Sequence, residues 1–120
     1  MKNLVIDLDH TLTAGKGEGY ADAYPNIETI NTLRKYHNKG FHITIFTSRN
    51  MRTHQGNIGK INVHTLPVIL EWLEKHDIPF DEVIVGKPWC GHDGFYVDDK
   101  AIRPDEFNKF TYEEIKNIIG

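Results

Sequence analysis

Residues 4–13 read Leu-Val-Ile-Asp-Leu-Asp-His-Thr-Leu-Thr, a short apolar run that closes on two aspartates and then a threonine. A continuous apolar stretch of this length predicts a strand over Leu4–Leu8 that is covered on both faces. In extended backbone, residues i and i+2 share a side, so Asp7 and Asp9 project together unless the chain curls to part them. Two bare carboxylates held that close repel, and one tends to take up a proton. A divalent cation removes the conflict. The stretch therefore predicts a metal-dependent site for phosphate chemistry at the carboxyl end of the first strand.

Outward from that strand, residues 14–24 are glycine-rich and aperiodic and predict a loop or small flap. Pro25 suits a helix start, Ile27, Ile30, Leu33 and Tyr36 give a helical stripe, and Gly40 supplies a stop. Phe41–Phe46 predicts a second strand running into Thr47-Ser48-Arg49, followed by a polar, basic loop to about Val63. Leu66, Ile69, Leu70 and Leu73 mark a second helix, with Thr65 as its N-cap and Pro67 in its first turn. Val83–Val85 predicts a third strand before Gly86-Lys87-Pro88-Trp89-Cys90-Gly91. Phe95–Val97 predicts a fourth, running into Asp98-Asp99. Thr111-Tyr112-Glu113-Glu114 is a capping box for a last helix to about Ile119.

Strands alternating with helices in this way predict an α/β fold, a three-layer Rossmann-like domain with a mainly parallel sheet. The chain of 120 residues suits a single domain over 1–120. Hydrophobic content of 39% and charged content of 26% fit a soluble globular protein, and the net charge of −3 argues against a general nucleic-acid binder. No apolar run approaches the roughly 20 residues that cross a bilayer. Nor is there a signal-peptide pattern, and the single cysteine, Cys90, excludes an intramolecular disulfide. A cytoplasmic location is expected.

Open parallel sheets bind ligands beyond the carboxyl ends of their strands. All four predicted ends carry polar chemistry: Asp7 and Asp9, Thr47 and Ser48, Lys87, and Asp98 with Asp99. Each piece alone has an ordinary explanation as a turn, a cap or a solvated lysine. Two adjacent acids directly off an apolar strand are harder to explain, because they cost stability unless something compensates them. Their concurrence at one end of one sheet is the signal.

This order of motifs resembles the haloacid dehalogenase superfamily of phosphohydrolases: a first strand ending Asp-x-Asp-x-Thr, a strand ending in Thr or Ser, a lysine, and a strand ending in an acidic pair. The runs Thr-Ser-Arg-Asn, Val-Gly-Lys-Pro-Trp-Cys-Gly and Phe-Tyr-Val-Asp-Asp-Lys are similar to those of a small capless group described as capsule polysaccharide biosynthesis phosphatases. The resemblance implies Asp7 as nucleophile, forming an aspartyl-phosphate that water hydrolyses. It implies Asp9 as general acid and then base, Thr47 as a donor to the phosphoryl group, and Lys87 as a positive charge on Asp7 and the phosphoryl oxygens. Mg2+ is the implied cofactor, held by Asp7, the backbone carbonyl of Asp9 and the acidic pair. Asp99 is favoured as direct ligand and Asp98 as its support. Thr11 is expected to support the turn.

No cap domain fits between Thr13 and Pro25 or before Lys87. Ser48, Arg49, Arg52 and Trp89 are candidate substrate contacts, Arg49 and Arg52 because they follow Thr47 directly and Trp89 because it could stack on a sugar or base. Cys90, His92 and His10 raise a transition metal, but no second Cys or His pair has ligand spacing, so oxygen ligands and Mg2+ are preferred. The expected activity is phosphomonoester hydrolysis of a sugar phosphate or related small metabolite in surface-polysaccharide synthesis. No nucleic-acid or membrane partner is expected, and a homo-oligomer could cover the open site. Two other readings stand beside it. One is a receiver-like phosphoacceptor module, although receivers carry the acidic pair after the first strand and the accepting aspartate on a middle one. The other is a phosphatase acting on nucleotide or nucleic-acid ends.

Overall fold

In a computed structural model, residues 2–120 are described. They divide into two compact units, one running to Trp89 and one spanning Cys90–Gly120. The first contains strands β1 (Asn3–Ile6), β2 (Thr13–Gly15), β3 (Tyr24–Pro25), β4 (His42–Thr47) and β5 (Glu82–Val85), and helices α1 (Ile27–Asn38), α2 (Ile58–His64) and α3 (Leu66–Lys75). The second contains helices α4 (Pro104–Lys109) and α5 (Tyr112–Ile119). Among the described residues, no helix is long and apolar enough to cross a membrane.

The main sheet is parallel, in the order β1-β4-β5. Its register places Leu4 beside Ile43, Ile6 beside Ile45, and Thr47 beside Val85. Both crossovers step the same way along the sheet, so right-handed connections carry α1, α2 and α3 to one face. That face is the core: Ile6, Ile43 and Ile45 are buried, as are Ile30 and Leu33 of α1, Ile61 of α2, and Ile69 and Leu73 of α3. The opposite face carries Val5, 64% exposed, and Ile84, 46% exposed. Within this unit the connectivity carries helices to one face only, and the mainly parallel sheet with its helices is that of a Rossmann-like α/β fold.

Capping explains several boundaries. The side chain of Asn26, not Pro25, caps α1, accepting from the Thr29 N–H at 3.3 Å. Asn57 caps α2 in the same way, accepting from Lys60 N–H at 3.1 Å. The loop expected to about Val63 thus contains a helix whose Gly59 and β-branched Ile58, Ile61 and Val63 are weak helix formers. Thr65 precedes α3 without capping it; its hydroxyl donates instead to Asn50 Oδ1 at 2.7 Å. The flap is a short antiparallel pair, β2 with β3, enclosing a 3-10 turn at Tyr20–Asp22. Buried Trp72 on α3 secures it by donating from Nε1 to the Ala23 carbonyl at 2.9 Å.

In Cys90–Gly120 the Thr111 capping box forms as expected, with Thr111 Oγ1 accepting from Glu114 N–H and Glu114 Oε1 accepting from Thr111 N–H. Phe107 and Ile115 are its buried apolar residues. The expected fourth strand does not form. Residues 94–98 enter no ladder, and Phe95 and Val97 are 79% and 89% exposed. A strand exists only where a neighbour accepts its backbone hydrogen bonds, and these residues have the composition without the neighbour.

Candidate active site

The carboxyl ends of β1, β4 and β5 bring Asp7, Asp9, Thr47, Arg49 and Lys87 together. β1 ends at Ile6, and the chain then curls: the N–H groups of Thr11, Leu12 and Thr13 all point to the Leu8 carbonyl, at 3.3, 2.9 and 3.0 Å. His10 takes a positive φ of 61° in this turn, and its N–H donates to Thr13 Oγ1 at 3.0 Å. Leu8 and Leu12 are fully buried beneath it. The curl parts the two carboxylates, and each finds its own cation.

Lys87 Nζ lies 3.6 Å from Asp7 Oδ1, while the Thr11 hydroxyl donates to Asp7 Oδ2 at 3.3 Å. Thr11 is itself held by Asn26, whose side-chain amide donates to the Thr11 carbonyl at 3.1 Å. Lys87 is placed by its own N–H, which donates to the Thr47 carbonyl at 3.1 Å, and by Gly86, which takes a φ of 90°. A β-carbon at Gly86 would sit 2.6 Å from Ile58 Cδ1. Asp7 keeps about a third of its side chain exposed, enough to meet a substrate.

Asp9 has a different partner. Arg49 grips it with two donors, Nη2 to Oδ1 at 2.8 Å and Nε to Oδ2 at 3.1 Å. This is the fork geometry that suits a guanidinium to a carboxylate. The Arg49 guanidinium also lies 4.2 Å from the Tyr20 ring centroid, packed under the flap. Its side chain is 1% exposed, and its Nη1 is buried without a hydrogen-bond partner. Arg49 is thus no solvated loop residue; it fixes the position of Asp9. Spacing in the sequence carries no sign of this, because the contact depends on the curl after β1 and on the flap.

Thr47 is buried, and its Oγ1 accepts from Arg49 N–H at 3.1 Å, which leaves its own proton to donate elsewhere. Ser48 is half-buried, and its carbonyl closes the next turn with Met51 N–H at 3.0 Å. Arg52 is exposed, with its guanidinium 5.7 Å from the ring centroid of Trp89. Between the flap and α2–α3 lies an open cleft of about 380 Å3, lined by Tyr20, Asp22, Arg49, Asn50 and His64 among others. Asn50 and His64 are lining residues that the motif reading passes over.

Asp98 and Asp99 belong to Cys90–Gly120 and are exposed there, with Asp98 Oδ1 accepting from Lys100 N–H at 3.0 Å in a tight turn. Among the described residues, no group of three or more His, Cys, Asp or Glu side chains is gathered as a metal-binding cluster. What the first unit offers a cation is one partly exposed carboxylate, Asp7, with the Thr11 hydroxyl and the Lys87 ammonium beside it. That suits a hard ion such as Mg2+, which needs only one or two carboxylates and completes its shell with water and phosphate oxygens.

A crystal structure of an MCSG target protein from Vibrio cholerae is similar over 99% of this chain and 97% of its own, at 56% identity and a TM-score of 0.96. The two chains belong to one family. No protein-family model and no curated protein matches the sequence. The Vibrio cholerae relative therefore extends the fold to a homologue and leaves the chemistry to be argued from the site.

Proposed function

We propose that the chain is a Mg2+-dependent phosphomonoester hydrolase of the haloacid dehalogenase type, acting in the cytoplasm on a sugar phosphate or similar small metabolite of surface-polysaccharide synthesis. The observation that carries this reading is Asp7: a partly exposed carboxylate at the end of the first parallel strand, with Lys87 Nζ 3.6 Å from one oxygen and Thr11 donating to the other. A nucleophilic carboxylate needs positive charge beside it to approach a phosphate dianion, and it needs a fixed orientation for in-line attack. Lys87 supplies the first and Thr11 the second. Mg2+, when bound through Asp7, would neutralise phosphoryl charge during transfer.

Asp9 stands two residues on, as a separate carboxylate positioned to exchange a proton with the leaving alcohol and then with water. Arg49 orients it, and the cleft under Tyr20 lies beside Arg49, where a leaving group of metabolite size has room. Thr47 donates its remaining proton to the phosphoryl group from the end of β4. Arg52 and Trp89, with the guanidinium 5.7 Å from the ring centroid, are candidate contacts with the sugar. The resemblance also assigns Asp98 and Asp99 as metal-site acids, with Asp99 as the direct ligand. Neither the receiver-like reading nor action on nucleic-acid ends gains a specific observation.

The test is phosphate release from an aryl phosphate, with and without Mg2+. Wild-type protein is expected to turn over only with the ion, and Asp7→Asn is expected to stay folded and inactive. Full turnover in excess chelator, or by Asp7→Asn, would refute the assignment.

A further inference from the structure

The cleft beneath the flap has a charge balance of its own. The acidic and basic side chains that line it are Glu18 and Asp22 from the flap and Arg49 from the end of β4. Arg49 commits its charge to Asp9, bonding both carboxylate oxygens at 2.8 and 3.1 Å. Glu18 and Asp22 are exposed, and among the described residues neither has an ion-pair partner. The flap's one lysine, Lys16, lies over the Tyr20 ring at 4.7 Å and is not part of the lining. Two uncompensated carboxylates therefore set the sign of the field inside the cleft.

The same lining holds unused hydrogen-bonding capacity. Arg49 Nη1 is buried without an acceptor, although the guanidinium lies only 4.2 Å from the Tyr20 ring centroid at the cleft wall. A buried donor left unpaired calls for an explanation, and an oxygen brought by an occupant of the cleft is one. The Asn50 side chain is fixed by Thr65, whose hydroxyl donates to Oδ1 at 2.7 Å. Its Nδ2 donates to Thr53 Oγ1 at 3.3 Å and keeps a second proton to give. His64, stacked on His54 with centroids 5.7 Å apart, adds an imidazole. Hydroxyl groups match such a set, because each accepts from one neighbour and donates to another without carrying charge.

We propose that this cleft selects the leaving group by charge, admitting an uncharged, hydroxyl-bearing group and rejecting one with a second negative charge. Glu18 and Asp22 set the selection, and Arg49 Nη1 takes a hydroxyl oxygen as the acceptor it lacks. The substrate class is then a monophosphate with a neutral alcohol part, in contrast to a sugar-acid phosphate, a bisphosphate or a nucleic-acid end. The inference rests on the phosphatase reading, which puts the departing alcohol in this cleft. Exposed acids act largely through water, so the effect is moderate. Two like charges about 6 Å apart at an effective dielectric constant of about 40 cost roughly tenfold in kcat/KM.

Three aryl monophosphates test the selection, bearing a para methyl, hydroxymethyl or carboxylate group. Their kcat/KM values are measured with Mg2+ at pH 8, above the ordinary histidine pKa of about 6.5. The hydroxymethyl substrate is expected to be best, the methyl one about threefold poorer and the carboxylate one about tenfold poorer. In the Glu18→Gln/Asp22→Asn double variant the hydroxymethyl-to-carboxylate ratio is expected to fall to about twofold. Raising salt from about 0.02 to about 0.5 M is expected to narrow the same ratio in wild-type protein. Damage to the fold lowers all three rates together and leaves their ratios in place. A wild-type ratio near one, or a ratio that neither the double variant nor salt changes, overturns the charge selection while the phosphatase reading stands. A methyl substrate as good as the hydroxymethyl one overturns the hydroxyl contact. No turnover of any of the three ends the phosphatase reading, and this inference with it.

Discussion

Arg49→Met removes both bonds to Asp9 and the stack beneath Tyr20 while keeping a side chain of similar length. Breaking one side of a buried ion pair costs about 3–5 kcal/mol, chiefly from the charge left behind. Here the charge left behind is Asp9, whose side chain is 26% exposed and can be partly rehydrated, so the cost falls to about 2 kcal/mol. Asp9→Asn strands the other partner. The Arg49 side chain is 1% exposed with Nη1 already unsatisfied, so water cannot compensate and about 3 kcal/mol is expected. The double variant removes both charges and should cost much less than the sum, a coupling of about 2 kcal/mol. Urea unfolding of the four proteins measures it, with midpoints compared at constant slope. Additivity within about 0.5 kcal/mol would mean that the Arg49–Asp9 bonds contribute nothing specific, and the argument that Arg49 positions Asp9 would be lost. The same proteins also separate roles in catalysis. Arg49→Met should lower turnover through a displaced Asp9 and shift the pH profile, whereas Asp9→Asn should remove the proton donor altogether.

Gly86→Ala adds a β-carbon 2.6 Å from Ile58 Cδ1 at a φ of 90°, and should cost about 1–3 kcal/mol while displacing Lys87. Thermal unfolding and a Mg2+-dependent phosphatase assay check both effects, and a variant as stable and active as wild type would contradict them. Glu82 is held below the ordinary carboxylate range by its hydrogen bond from His42 and then by that from Thr44. A depressed folded value means the unfolded chain binds the proton first. Its contribution is thus present above the ordinary Glu value, about 4.3, and lost as pH falls through the lower folded one. Glu82→Gln should therefore flatten the acid side of the melting-temperature profile, and an unchanged profile would contradict the assignment.

The elements most legible in the sequence are those whose signal is local. Helix α1 shows in the stripe of Ile30, Leu33 and Tyr36, α5 in its capping box, and β4 in an apolar run buried in the middle of the sheet. Helix α2 was hidden because Gly59 and three β-branched residues argue against a helix, and packing of Ile61 against the core outweighs that propensity. Phe95–Val97 fails for the opposite reason. Its composition is that of a strand, but composition does not supply the neighbour that turns an apolar run into one.

The site divides along the same line. Asp7, Thr47 and Lys87 could be read from strand ends, because a parallel sheet delivers every carboxyl end to one side whatever the loops do. The separate partners of Asp7 and Asp9 could not, since they follow from three backbone N–H groups converging on the Leu8 carbonyl. An i, i+2 spacing in extended backbone would press both carboxylates onto one cation. The curl instead commits Asp9 to a buried arginine from the end of β4 and leaves Asp7 with a lysine and a hydroxyl. Two chemically identical side chains thereby acquire different surroundings. One is anchored by a planar fork that fixes its direction, and the other stays about a third exposed with one ammonium and one hydroxyl beside it. On the proposed phosphatase reading, a nucleophile needs the second environment and an oriented proton carrier the first, so the asymmetry between Arg49 and Lys87 favours Asp7 as nucleophile and Asp9 as proton carrier over the reverse.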